Sequence, residues 1–308
     1  MRKIIVGSRG SKLAITQTKW VINALKKAGV KNEIKIKEIV TKGDRNLNVA
    51  LSKVGGNNIF TQELEQAMYD QEIDFAVHSM KDLPSVEPEG LVIVGIPERE
   101  DPRDAYIAKN SVALKDLPAG SIVGTSSLRR AAQILAVRPD LKTKWIRGAI
   151  DARLQKLHDE DYDAIILAVA GLKRLGLSEN ITEYLPVDPF VPSVGQGALA
   201  IECRSKDKEL REILAKINDK VALKTVKAER KFLDLLQGSD QFPIGAYAYM
   251  ENDEIILHAT VLTTDGKVAL KEIVRGEDPD IVGTEAAERL IKQGAADIIK
   301  EVKAELDK

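Results

Sequence analysis

The hydrophobic positions of this chain form short apolar runs that alternate with helical repeats. Ile4-Ile5-Val6 has the length of a buried strand, and it ends at Gly7-Ser8-Arg9-Gly10-Ser11. Ser11 is a residue type that caps helices through its side-chain oxygen. After it Leu13, Gln17, Trp20, Val21, Ala24, Leu25 and Ala28 recur at helical spacing until Gly29. Ile34 and Ile36 alternate with lysines, as in a half-buried strand. Residues 43–58 read as loop, 63–70 as helix and 73–77 as strand, which runs directly into His78-Ser79-Met80-Lys81-Asp82-Leu83-Pro84. Strand and helix alternating in this way predict a mostly parallel sheet with helices on its faces.

The pattern restarts near Asp104. Strands are predicted over 121–123, 144–146 and 164–169, with helices ending before Pro139 and over 151–158. A proline-containing connector over 185–192 leads to a strand at 198–202. A helix then carries Leu223, Val226, Arg230, Leu233 and Leu236 on one face and ends at Gly238. Strands at 255–262 and 267–274, joined by Asp265-Gly266, form a hairpin signal. A last helix is predicted over 281–306. The fold class is α/β, closing with a small antiparallel α+β unit.

Composition narrows the function. Of 308 residues, 44% are hydrophobic, enough for more than one core. Lys plus Arg (46) nearly balance Asp plus Glu (47), which argues against a general nucleic-acid binder. One cysteine, Cys203, leaves no disulfide framework, and His78, His158 and His258 lack ligand spacing, so no metal is implied. No apolar run is long enough to span a membrane or to form a signal-peptide core, and a cytoplasmic protein is expected. Nothing demands an assembly, and a monomer is the expectation.

The candidate chemistry is cationic. Arg9, Lys81, Arg129, Arg130, Arg147 and Arg153 fall at or just after predicted strand ends, the edge where open α/β sheets bind ligands. Ser11 and Thr125-Ser126-Ser127 sit at helix starts, where free N–H groups favour anions. A ligand with several carboxylates fits this set. Asp82 is a lone carboxylate beside these cations, suited to steadying positive charge or moving a proton; a turn-forming role before Leu83-Pro84 stays open. His78 reads as a packed strand-end residue and Cys203 as a small buried one. In Gly238-Ser239-Asp240-Gln241-Phe242-Pro243-Ile244-Gly245, Ser239 and Asp240 are nucleophile candidates, with an ordinary helix-exit turn as the other reading.

These segments together resemble the hydroxymethylbilane synthase (porphobilinogen deaminase) family. The resemblance runs nearly end to end. It is carried by Gly7-Ser8-Arg9, Leu51-Ser52-Lys53-Val54-Gly55-Gly56, His78 to Pro84, Glu98 to Ala105, Gly120 to Arg130, Arg147-Gly148, Ala168 to Leu177 and Val194-Gly195-Gln196-Gly197-Ala198. It implies three domains: 1–98 with 195–217, 99–194, and 218–308. The first two would be doubly wound lobes like those of periplasmic binding proteins, and the third a small α+β domain bearing a covalent dipyrromethane cofactor. The family condenses four porphobilinogen molecules head to tail, releasing ammonia, into the linear tetrapyrrole that feeds haem biosynthesis. By carry-over Asp82 is the catalytic carboxylate. Lys81, Thr125, Ser127, Arg129, Arg130, Arg147 and Gly148 hold the cofactor, and Arg9, Ser11, Arg147, Arg153 and Gln196 the substrate.

The sequence departs from the family pattern where the cofactor is attached. The pattern's cysteine is Asp240 here, its Gly-Gly-Lys-Gly-Leu-Phe is Gly55-Gly56-Asn57-Asn58-Ile59-Phe60, and its Arg-Gly-Asn is Arg147-Gly148-Ala149. A carboxylate is ionised at neutral pH and can capture the electrophilic azafulvene as an ester, as a thiolate captures it as a thioether. Two other readings stay open: attachment through Ser239 or none at all, and an inactive relative that binds pyrroles or other polycarboxylates.

Overall fold

The computed structural model describes residues 1–45, 60–238 and 241–306. Its contacts group the chain into two compact units, residues 1–100 with 198–223 and residues 101–197 with 224–308.

The first unit is a five-stranded sheet in the order β2-β1-β3-β10-β4. Its strands are β1 (Ile4–Arg9), β2 (Ile34–Ile39), β3 (Phe75–Ser79), β4 (Leu91–Gly95) and β10 (Leu199–Arg204). β1 runs parallel to β2 and β3, whereas β10 runs antiparallel to β3 and β4. The sheet is therefore mixed, because a segment from far down the chain returns between β3 and β4. α1 (Lys12–Lys27) and α6 (Lys208–Leu214) bury Val21, Leu25, Leu210 and Leu214 against Val6, Phe75, Val77 and Ile201 on one face. α2 (Gln62–Tyr69) covers the other through Leu64, Ala67 and Met68.

The second unit holds another five-stranded sheet, in the order β7-β6-β8-β5-β9. Its strands are β5 (Asp104–Ala108), β6 (Ile122–Gly124), β7 (Lys142–Lys144), β8 (Ala164–Ala168) and β9 (Glu183–Tyr184). α3 (Leu128–Val137) buries Ile134 on one face of the sheet, and α4 (Ile150–Asp159) and α5 (Val169–Arg174) bury Leu157 and Leu172 on the other. The closing sheet, β11 (Ile244–Glu251), β12 (Glu254–Leu262) and β13 (Ala269–Gly276), is antiparallel throughout. α7 (Lys220–Leu235), α8 (Pro279–Lys292) and α9 (Ala295–Leu306) pack on its apolar face through Phe232, Leu290 and Ile298.

The sequence pattern and the structure differ in instructive places. β3 starts two residues later than its apolar run, because Ile73 belongs to the core under α2 rather than to the ladder. β5 escaped the pattern because a charged residue opens it. The helix expected over 281–306 is two helices, broken at Gly294, whose φ of +107° lies where other residues are strained. Gly283 on α8 lies so close to α7 that a Cβ there would sit 2.5 Å from the Ala228 carbonyl oxygen and 3.0 Å from the Phe232 nitrogen. Gly283→Val is expected to cost about 1–3 kcal/mol from overpacking against rigid backbone, read as a lower urea midpoint; a parental midpoint would show that the two helices can part freely.

Candidate active site

In the first unit the carboxyl ends of β1 and β3 deliver Arg9–Ser11 and Ser79–Asp82. The two strands are parallel neighbours, so both segments leave the same edge of the sheet. Ser11 caps α1, its Oγ accepting the Ala14 N–H at 3.2 Å. Arg9 does not stand alone: Nη2 donates to Asp44 Oδ1 at 2.6 Å, and its guanidinium carbon lies 4.1 Å from the centroid of the Phe60 ring. Burial pushes the Asp44 carboxyl up, but the bonds from Arg9 and Thr41 outweigh it and hold the group below its ordinary range. Met80–Asp82 form a single 3-10 turn after β3. Lys81 and Asp82 are half-buried there. Asp82 makes no hydrogen bond or ion pair with any described residue.

In the second unit the sheet edge is organised around Asp104, the first residue of β5. Its carboxylate is 1% exposed and accepts from Arg129 Nη1 at 2.7 Å, Arg130 Nε at 3.0 Å and Gln196 Nε2 at 2.9 Å. Arg129 also donates to the Val191 carbonyl at 2.8 Å, and Arg130 to the Ile166 carbonyl at 3.2 Å and to Gln196 Oε1 at 3.1 Å. Burial alone would push the Asp104 carboxyl up; the two guanidinium groups overcome it and hold it far below the ordinary carboxylate range. Arg129, Arg130 and Gln196 thus have buried internal partners. Sequence reasoning found the arginines and missed the carboxylate. The signal was present: a charged residue opening the apolar run Ala105-Tyr106-Ile107-Ala108 has to be paired once buried.

Nearby residues complete a cationic, donor-rich edge. Ser127 caps α3 through the Arg130 N–H at 3.4 Å, and Thr125 Oγ1 accepts the Ser127 N–H at 3.1 Å. Beyond β7, Gly148 adopts φ +122°, and its carbonyl accepts from Arg153 Nε at 2.7 Å. Arg153 has no carboxylate partner among the described residues. Burial, with Arg130 and Arg147 adding like charge, pushes its guanidinium down to about 10. Arg147 is pushed down by burial as well. Cationic groups whose protonated form is this disfavoured gain most from an arriving anion. The donor set fits a group carrying several carboxylates. Ser239, Asp240, Asn57 and Asn58 lie outside the described residues.

Two further residues match the sequence reading. His78 is buried on β3, bonded to Glu202, and Cys203 is buried with its thiol pushed up to about 11 by burial, so it is not a reactive thiolate.

The fold is that of an α/β protein whose sheet edges carry clustered cationic and hydroxyl side chains, with Asp82 unpartnered among the described residues. Residues 4–212 match the family model for the porphobilinogen deaminase dipyrromethane cofactor-binding domain, and residues 223–292 match its C-terminal domain. Over all 308 residues the chain is 65% identical to a porphobilinogen deaminase of Oceanobacillus iheyensis, covering 100% of both chains. It is 61% identical to one of Bacillus cereus, covering 97% of each, and 58% identical to one of Lysinibacillus sphaericus, covering 100% of this chain and 99% of that one. The chain belongs to the porphobilinogen deaminase family, which makes it a transferase. Among solved structures, a YaeC-family lipoprotein of Enterococcus faecalis gives a TM-score of 0.43 at 19% identity, covering 71% of this chain and 93% of its own. A methionine-bound nutrient-binding protein of Burkholderia cenocepacia gives 0.44 at 15%, covering 76% and 96%. Neither likeness is close enough to bear on function. Among the described residues, no helix is long and apolar enough to cross a membrane.

Replacing Asp104 by Asn would leave two buried guanidinium groups without their counter-charge. Asp104→Asn is expected to destabilise the protein by about 3–5 kcal/mol, read by chemical denaturation. The native carboxyl titrates below its ordinary 3.8, so its contribution is complete above that pH and is lost as the pH falls further. The variant should therefore lose that part of the parent's acid sensitivity; equal stability of parent and variant at neutral pH would contradict the assignment.

Proposed function

We propose that this chain is a hydroxymethylbilane synthase, joining four porphobilinogen molecules head to tail and releasing ammonia, as a single chain in the cytoplasm. The observation that carries the reading is Asp82: a half-buried carboxylate next to Lys81, at a strand end, with no protein partner among the described residues. A structural aspartate in a turn would be expected to bond its own backbone. One left without a partner is available to a cationic reactant.

The substrate gains positive charge on its pyrrole as the C–N bond of its aminomethyl arm breaks: the amino group leaves as ammonia and the methylene carbon stays on the ring as the electrophile. A carboxylate about 4 Å from such a charge contributes about 4 kcal/mol at the effective dielectric of a protein surface. Asp82 supplies that term and can hold a proton taken from a pyrrole nitrogen. Arg9, Ser11 and Arg153 hold the acetate and propionate groups of the substrate. For Arg9 this means that a substrate carboxylate must share or displace Asp44. Lys81, Thr125, Ser127, Arg147 and Gly148 hold the dipyrromethane, which when bound supplies the free pyrrole carbon that begins the chain. Arg129, Arg130 and Gln196 act from behind: two guanidinium groups about one carboxylate leave net positive charge at that edge.

The finer part of the reading is attachment of the dipyrromethane to Asp240 as an ester. The carboxylate is the one residue at the family's attachment position that is anionic without a base to activate it. The three-domain division, with 218–308 as the cofactor-bearing domain, belongs to the same reading; the separate antiparallel sheet and the helices packed on it support it.

Intact-protein mass spectrometry of the purified chain is expected to show one dipyrromethane adduct, removed by hydroxylamine or mild alkali. Asp240→Ala should lack it, and Asp240→Cys should carry one that resists alkali. An unmodified mass in a preparation that releases ammonia would defeat covalent attachment.

In an assay of ammonia release from porphobilinogen, Asp82→Asn is expected to lose about 10²-fold or more in kcat, as for other removed electrostatic stabilisers, with adduct mass retained. A full rate would reject the role of Asp82, and no ammonia from the parent would favour a pyrrole-binding relative without turnover.

A further inference from the structure

Three buried ionisable side chains take no part in the chemistry above. His78 on β3 and Glu202 on β10 are joined by a 2.9 Å bond between Nε2 and Oε2, with side chains 3% and 1% exposed. Glu65 on α2 is buried with them, and its Oε1 has no hydrogen-bond partner among the described residues. Burial pushes the Glu65 carboxyl up, and the Glu202 charge adds to the rise. Across the antiparallel ladder His78 faces Ala200 and Glu202 faces Ala76. The pair is therefore a diagonal contact on one side of the sheet, the side that otherwise packs Ala76 against Leu64, Ala67 and Met68.

A hydrogen-bonded polar pair this deep adds little stability over an apolar pair of the same volume, because desolvation offsets the attraction. What it supplies that apolar groups cannot is a fixed direction. The chain immediately downstream is pinned by further specific bonds. Ser79 Oγ accepts from Gln17 Nε2 of α1 at 3.0 Å, the Met80 N–H donates to the Ala198 carbonyl at 3.0 Å, and the Leu83 N–H closes the turn on the Met80 carbonyl at 3.2 Å. Asp82 sits inside that turn. Its backbone is thus held from the α1 side through Ser79 and from the α2 side through His78.

We propose that the His78–Glu202 pair positions Asp82, fixing the end of β3 so that the turn presents the carboxylate in one orientation. The inference rests on the role given to Asp82 above. The test uses the cofactor-loaded enzyme and ammonia release, with Asp82→Asn measured alongside. The double variant H78F/E202L removes both partners of the bond at once, so that neither is left buried without the other. It is expected to fold with the parental circular dichroism and to lose about 30- to 100-fold in kcat, the scale of a misplacement of about 1 Å, with KM for porphobilinogen changed less than about threefold. E202Q keeps an acceptor for the imidazole N–H and should hold kcat within about fivefold of the parent. A folded H78F/E202L with parental kcat, while Asp82→Asn is inactive, overturns the positioning role alone. A fully active Asp82→Asn overturns the role of Asp82 and this inference with it. Should the double variant fail to fold, E202A and E202Q decide. A gap of about tenfold or more in kcat at equal KM supports positioning, and equal kcat overturns it.

Discussion

One buried carboxylate organises the second unit. Asp104 begins β5, and through Arg129 and Arg130 it ties that strand to the first turn of α3, to the Val191 carbonyl in the connector and to the Ile166 carbonyl on β8. Taking three ionised groups out of water is costly, and the cost is offset only when each finds several partners in good geometry. Here each does, with Gln196 bridging Asp104, Arg130 and the Pro102 carbonyl. The arrangement leaves one guanidinium charge in excess, so the structural network and the positive potential at the sheet edge have the same origin.

Site residues divide by whether the fold already satisfies them. Arg129, Arg130 and Gln196 each have buried partners within the second unit. Arg9 is paired with Asp44, in a geometry that a competing carboxylate could enter. Among the described residues, Arg153 Nε bonds a backbone carbonyl and Asp82 has no hydrogen bond or ion pair. A polar group without a protein partner, half out of water, is where a ligand gains most, because no internal bond has to break first. In the second unit that ordering places the rigidity at the start of β5.

Much of this was legible in the sequence. The apolar runs gave β1, β8 and β12 nearly in place, and Ser11 and Ser127 marked the starts of α1 and α3, because burial periodicity and capping act over a few residues. The cationic strand ends and Asp82 were found for the same reason: Gly-Ser-Arg, Ser-Met-Lys-Asp and Thr-Ser-Ser-Leu-Arg-Arg are local signals. The antiparallel passage of β10 through the first sheet was not legible, since pairing across some 120 residues depends on a chain path that no window of sequence contains. The break at Gly294 could have been read from the glycine, but the uninterrupted apolar repeat around it pointed to one helix.

By itself, then, the sequence determined the α/β class, the antiparallel close, the family and the residue types of the site, because each is written in short-range pattern. Only the tertiary structure decided which polar and charged groups are spent on one another: Asp104 with Arg129 and Arg130, His78 with Glu202, Arg9 with Asp44. Partnership between charges is set by distance and burial in the folded chain, and the same arginine reads identically in sequence whether it holds a ligand or holds up a sheet.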